Sequence, residues 1–248
     1  MTGVETTEAR LEAPSEPILK PVDAWWTVLL TDPFAVRLAA ALRRATAITP
    51  THLTLAAHLL GVVGALLILH ESLLAAGLLF ELRFVLDCAD GKLARLRGTS
   101  SAAGAVLDFV GDYLVVGAQL VAMGVLLTWR GEVPEPLALG LPAAFLAHVA
   151  VGQTWKAEAI RSAVPLAPTP PTGGYRRWMA DHRLRPVPTR IDVEHLLLGL
   201  APVVAGATGE LGPIAVGVWG ATAYFGYRTA RIAGGAYRMA AGRDEAKG

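Results

Sequence analysis

Six stretches of this chain are apolar over lengths that can cross a lipid bilayer: residues 51–70, 73–97, 100–128, 135–161, 190–208 and 211–231. A membrane-crossing helix needs about 20 mostly apolar residues. Backbone exposed to lipid must satisfy its own hydrogen bonds, and helices do this within a single segment. Composition agrees: 53% of the 248 residues are hydrophobic and 17% are charged, which excludes an ordinary soluble domain. Pro50, Pro134, Pro136 and Pro213 stand where helices would start. The expected architecture is an all-α integral membrane protein with six transmembrane helices, in one domain spanning 47–240.

The flanks read differently. Residues 1–19 carry Glu5, Glu8, Glu12 and Glu16 without an apolar core, so they read as a disordered tail and not as a cleavable signal. Residues 20–46 combine Trp25, Trp26 and Phe34 with Arg43 and Arg44, and Pro33 rules out one straight span. That segment is expected to be an amphipathic helix lying in the membrane interface. Residues 164–188 read as a proline-rich, then basic loop, and 241–248 as a C-terminal tail. Arg130 is the one Lys or Arg in the turns on one side; Arg43, Arg44, Arg97, Arg161, Arg190 and Arg231 are among those on the other. The positive-inside rule then puts both termini and the turn near Gly98 in the cytoplasm. The lone Cys88 excludes an internal disulfide.

The second and third apolar runs meet at DCADGKLARLRGTSSAAGAVLDFVGD, from Asp87 to Asp112. If helical, Asp87 and Asp90 are i, i+3 neighbours, and Gly91, Ala94 and Arg95 continue their face. Gly104, Asp108 and Asp112 share a face at i, i+4 and i+8. Leu96 to Ser101 suits a tight turn with Thr99 or Ser100 as N-cap. The expectation is a helical hairpin whose arms present two carboxylates each to the other. Each carboxylate costs about 2.5–3.5 kcal/mol near the centre of a membrane helix, so four together need compensation. One or two hard divalent cations, which prefer oxygen ligands, are the simplest compensation. Gly91, Ala94 and Gly104 leave room for a ligand beside them.

The pattern D-x2-D-G-x2-A-R-x8-G-x3-D-x3-D, from Asp87 to Asp112, resembles the signature of the CDP-alcohol phosphotransferases, membrane enzymes of phospholipid head-group synthesis. The resemblance implies transfer of a phosphatidyl or other phosphoalcohol group from a CDP-linked donor to an alcohol, releasing CMP. It implies two Mg²⁺ or Mn²⁺ ions on Asp87, Asp90, Asp108 and Asp112, with Asp112 also the catalytic base. It assigns Asp87, Gly91, Ala94, Arg95, Gly104 and Thr54 to donor binding, and it implies a homodimer. One departure stands out: many members begin their first span P-N-x-x-T, and here Pro50 is followed by Thr51, with Thr54 retained. Nothing points to nucleic acid.

Lys156, Arg190, Arg228 and Arg231 approach the same end of the bundle and suit a phosphorylated acceptor such as inositol phosphate or glycerol phosphate. Glu158, Asp192 and Glu194 either pair with these cations or bind acceptor hydroxyls. The donor expected is CDP-diacylglycerol, with a soluble CDP-alcohol such as CDP-inositol as the alternative. A divalent cation transporter is the rival from another class. Arg83 either pairs with Asp87 or snorkels, and Lys92 is expected to reach lipid phosphate or water. His52 is read as a capping or interfacial residue; His58, His70, His148, His182 and His195 show no ligand spacing.

Overall fold

The computed structural model describes residues 17–161 and 173–245. Residues 1–16 and 246–248 of the two expected tails, and the proline-rich stretch 164–172, lie outside these. Among the described residues the regular elements are helices. They are α1 (Asp32–Leu42), led in by a π-helical stretch Thr27–Thr31, then α2 (Pro50–Leu69), α3 (Leu73–Arg97), α4 (Ala102–Trp129) and α5 (Glu135–Arg161). After α6 (Gly174–Asp181) come α7 (Arg190–Glu194), a π-helical stretch His195–Leu200 and α8 (Ala201–Thr208), which run on as one rod. The chain ends in α9 (Gly212–Glu245).

Four of these segments are long and apolar enough to cross a membrane: Pro50–Leu69, Ala102–Trp129, Glu135–Ala157 and Arg190–Thr208. The protein is an integral membrane protein. Helix α3 matches them in length, but Glu81, Arg83, Asp87, Asp90, Lys92, Arg95 and Arg97 lower its hydropathy. In α9, glycines, tyrosines and Trp219 dilute the apolar run. Inside the bundle, Phe80, Leu120, Met123, Leu126, Leu141, Phe145, Leu197 and Phe225 are fully buried in one core. Leu59, Leu114, Leu139 and Val216 are each more than half exposed on the outside. Such an inside-and-out apolar pattern fits lipid as the surrounding solvent.

The helix starts follow local chemistry. Thr49 caps α2 by accepting from the His52 amide, while the His52 ring accepts from the Thr49 amide, the capping role expected of that histidine. Glu71 and Arg130 pair at 3.5 Å, joining the α2–α3 and α4–α5 turns at one end of the bundle.

Several expectations are corrected. Residues 17–19 are not a free tail: the Ile18 carbonyl accepts a 3.0 Å hydrogen bond from Arg95. The segment 20–46 is not one helix, because Asp23 pairs with Leu184 in a parallel bridge before the helix begins. Pro33 stands just after the π-helical stretch Thr27–Thr31, where the helical run changes from π to α geometry. The basic loop holds a helix, α6. Residues 241–245 continue α9 instead of forming a tail.

Candidate active site

Helix α3 ends at Gly98, whose φ of +63° is a left-handed conformation that glycine adopts without steric cost. Ser101, and not Thr99 or Ser100, then caps α4: its backbone is extended and its Oγ accepts from the Gly104 amide at 3.0 Å. The two arms do not pack tightly on each other as the hairpin reading expected. Helix α2 packs against both, and α3 and α4 make almost no close backbone approach of their own. The space between them is filled by side chains, including one from α2.

That side chain is His58. Ligand atoms of His58, Asp87 and Asp108 lie within 4.8 Å of one another. Asp87 Oδ1, Asp108 Oδ1 and His58 Nε2 are all buried without a hydrogen-bond partner. Orphaned buried carboxylate oxygens are unfavourable, and carboxylate oxygens with one imidazole suit a divalent cation. The residues present therefore fit a metal ion. Gly111 makes the arrangement possible: a Cβ at that position would overlap the His58 ring.

The other two aspartates flank this group. Asp90 is buried and accepts from the Thr54 hydroxyl. Asp112 pairs with Arg83 on one oxygen and with Arg190 at 3.4 Å on the other. Arg83 is 1% exposed and also lies over the Phe80 ring, 5.6 Å from its centroid. It therefore serves Asp112, on the next helix, where the sequence suggested Asp87. Arg190 is held in turn by Glu194 and by the face of Tyr113 at 4.7 Å.

One cavity is lined by two of the aspartates, and a second is linked to Asp112 through Arg190. The first, of about 570 Å³, is lined by Thr54, Asp90, Gly91, Ala94, Arg95, Gly104 and Asp108, with Thr49 to Thr51 and the 97–101 turn. Every residue expected to bind the donor lines it except Asp87, which lies in the cluster beside it. Gly104 opens onto this cavity, as expected of a position that leaves room for a ligand, and a close helix approach is made further along α4, at Gly111. The second cavity, of about 380 Å³, is lined by Lys20, Lys156, Arg185, Arg190 and Arg228, with Asp23, Tyr113, His148 and Gln153. Three of the four cations expected to hold the acceptor are here. Arg231 is not: it is exposed and hydrogen-bonds Tyr227 at 3.2 Å.

Charged residues that the sequence left unpartnered fasten the surrounding shell. Lys92 is buried, not at the lipid surface, and binds Asp32 of α1 at 2.8 Å; Arg183 meets the same carboxylate at 2.8 Å. Outside the membrane-spanning segments, burial raises the Asp32 carboxyl, and the hydrogen bonds and charge attraction of Lys92 and Arg183 together more than reverse that, leaving it below its ordinary value. His195 is buried between Trp26, Phe80 and Phe84 and bonds Glu81 at 2.9 Å, while Trp26 Nε1 donates to the same carboxylate at 2.8 Å. Asp192 accepts from the Trp26 amide at 2.8 Å and caps α7, and Glu194 pairs with Arg190. The side chain of Glu158 lies outside the described residues.

Comparison with known proteins matches residues 47–170 to the family described as CDP-alcohol phosphatidyltransferase. A curated relative, the "Bifunctional IPC transferase and DIPP synthase" of Thermococcus kodakarensis, is 38% identical over 76 residues, which are 31% of this chain and 17% of that protein. The chain thus spans about a sixth of that relative's length. The crystal structure of Mycobacterium tuberculosis phosphatidylinositol phosphate synthase with manganese and citrate aligns at a TM-score of 0.60 and 20% identity, over 80% of this chain and 86% of that one. The same enzyme with CDP-DAG bound aligns at 0.59 and 20% identity, over 80% and 90% of the two chains. At these identities the likeness is one of fold.

Proposed function

The chain belongs to the CDP-alcohol phosphatidyltransferase family, and on that premise we propose that it moves a phosphatidyl group from CDP-diacylglycerol to a hydroxyl of a small phosphorylated polyol, inositol phosphate or glycerol phosphate, with release of CMP. Membership makes it a transferase of phosphate-containing groups and sets aside the cation-transporter reading. One observation carries the proposal: the cavity lined by the motif contains Asp90 and Asp108, and the cavity lined by cations is linked to Asp112 through Arg190. Arg190 lines the second cavity while reaching Asp112.

In this reading Asp87, Asp90 and Asp108, with His58, hold two Mg²⁺ or Mn²⁺ ions. Bound there, the ions neutralise the donor's pyrophosphate and polarise the β-phosphoryl group. The remaining work falls to the chain. Arg95 and Thr54 hold the donor in the larger cavity, and Gly91, Ala94 and Gly104 leave room for its cytidine. Lys156, Arg190 and Arg228 take the acceptor's phosphate and turn its hydroxyl toward the β-phosphorus. Asp112, aimed by Arg83 and Arg190, accepts the hydroxyl proton as the new P–O bond forms and the bond to CMP breaks. The donor assignment draws support from the CDP-DAG bound in the similarly folded enzyme. Exposed Leu29, Leu30 and Phe34 beside α1 suit an interfacial helix that meets such a lipid. The same reading has α3 and α9 completing six spans, both termini and the site on the cytoplasmic face, residues 47–240 as the catalytic domain, and two copies forming a dimer.

A soluble CDP-alcohol donor such as CDP-inositol is the second reading, favoured by the stretch shared with the Thermococcus protein. A CMP-release assay decides. The purified chain is given CDP-diacylglycerol or CDP-inositol, Mg²⁺ or Mn²⁺, and inositol phosphate, glycerol phosphate, serine or inositol in turn. CMP is expected from CDP-diacylglycerol with a phosphorylated acceptor. CMP from CDP-inositol would establish the second reading, and none from any pair would overturn both.

A further inference from the structure

The cation cavity has a wall that the proposed reaction does not yet use: the N-terminal strap of residues 17–26. Its backbone is fastened across the α6–α7 connection. The Asp23 amide donates to the Arg183 carbonyl at 2.8 Å, and the Arg185 amide donates back to the Asp23 carbonyl at 3.1 Å. Trp25 Nε1 donates to the Arg185 carbonyl at 2.6 Å, and Arg183 Nε to the Lys20 carbonyl at 3.0 Å. The Trp26 amide is tied to Asp192 at 2.8 Å. The strap is thus held at four main-chain points and one side chain, on groups 160 or more residues away in sequence.

The side chains of the strap are held differently. Lys20 is 65% exposed, and its ammonium stands 3.7 Å from Asp23 Oδ2, a loose pair in water. Asp23 is fixed from its other oxygen, which accepts from the Ala24 amide at 2.9 Å. Both side chains line the cavity together with Lys156, Arg185, Arg190 and Arg228. Asp23 is the one carboxylate lining it among the described residues, against five cations. Two residues before Lys20, the Ile18 carbonyl takes the guanidinium of Arg95, which lines the other cavity. The strap therefore lines one cavity and holds an arginine of the other.

We propose that Lys20 is an anion-recognising residue of the cation cavity, supplied by the strap, and that an incoming phosphate takes its ammonium over from Asp23. This rests on the proposed phosphorylated acceptor. A fixed backbone with a loosely paired, mobile ammonium is suited to the exchange. The strap positions the charge, and the weak Asp23 pair costs little to give up. Freed of Lys20, the Asp23 carboxylate is available to accept from a polyol hydroxyl, so the pair reads phosphate and hydroxyl together.

The test is a calorimetric titration of the full chain in lipid nanodiscs with inorganic phosphate, which needs no turnover. Wild type binds; Lys20→Ala weakens binding about tenfold, the scale of one charge-assisted hydrogen bond, and Lys20→Arg restores it to within about twofold. CDP-diacylglycerol affinity stays unchanged in both variants. Lys20 is exposed, so these substitutions leave folding intact. Wild-type binding by Lys20→Ala alongside weakened binding by Lys156→Ala would overturn the proposal, as would absence of phosphate binding in wild type. Failure of the broader reading shows up separately, as absence of CMP in the transfer assay.

Discussion

Gly111 of α4 lies against the imidazole of His58 of α2, so close that a Cβ at Gly111 would overlap the ring. This contact admits His58 between Asp87 and Asp108 and turns a pair of carboxylates into a three-residue ligand set. Gly111→Ala is therefore expected to push His58 out of the cluster while leaving the aspartates in place. Mn²⁺ affinity, read by electron paramagnetic resonance titration, should fall about 10–100-fold, the usual cost of disturbing a ligand's placement. His58→Ala should match it, and Gly117→Ala, where a Cβ meets nothing within 4 Å, should bind as wild type.

Asp112 stands between Arg83 and Arg190. Removing its charge leaves a nearly isosteric amide that accepts no proton. Asp112→Asn should lower kcat for CMP release by about 10²–10⁴ while changing donor affinity little. A loss confined to donor affinity would show that Asp112 binds the donor instead of serving as base.

The cations proposed to hold the acceptor can be separated by the same assay. Lys156→Ala and Arg228→Ala should each raise the acceptor KM about tenfold or more, with the donor KM unaffected. Arg231→Ala should leave both constants alone, because Arg231 sits on Tyr227 and does not line the cavity.

Asp32 links α1, Lys92 of α3 and Arg183 near α6. Its folded pKa lies below the ordinary 3.8: burial raises it, and the hydrogen bonds and charge attraction of Lys92 and Arg183 together outweigh burial. Its contribution is therefore complete above the ordinary value and is lost as pH falls through the folded one. The melting temperature should drop as pH falls from about 5 to about 3. Asp32→Asn should be less stable by about 3 kcal/mol at neutral pH, because Lys92 is left buried without its partner. The variant should also lose the Asp32 part of the acid dependence.

The motif's helical spacing anticipated which residues would line the larger cavity, because Gly91, Ala94 and Arg95 on one helix and Gly104 and Asp108 on the other are set by local geometry. His58 was not legible in this way. It joins the aspartates only through the approach of α2 to α4, which depends on Gly61, Gly64 and Gly111 and leaves no short spacing to read. Lys92 shows the same limit: helical spacing puts it off the face of Asp87 and Asp90, and only the docking of α1 supplies its partner Asp32. The strap, too, is built from backbone pairing between Asp23 and Leu184, a contact with no side-chain signature. Local periodicity carried the hairpin, and long-range docking carried the rest.

The central claim is that His58, Asp87 and Asp108 hold a metal ion against the donor's phosphates. Pulsed electron paramagnetic resonance of Mn²⁺ bound to the full chain in nanodiscs tests it directly. The account predicts a nitrogen coupling lost in His58→Ala and a phosphorus coupling that grows in when CDP-diacylglycerol is added. Tight Mn²⁺ binding that Asp108→Asn leaves untouched, or saturation with donor and no phosphorus coupling, would contradict it.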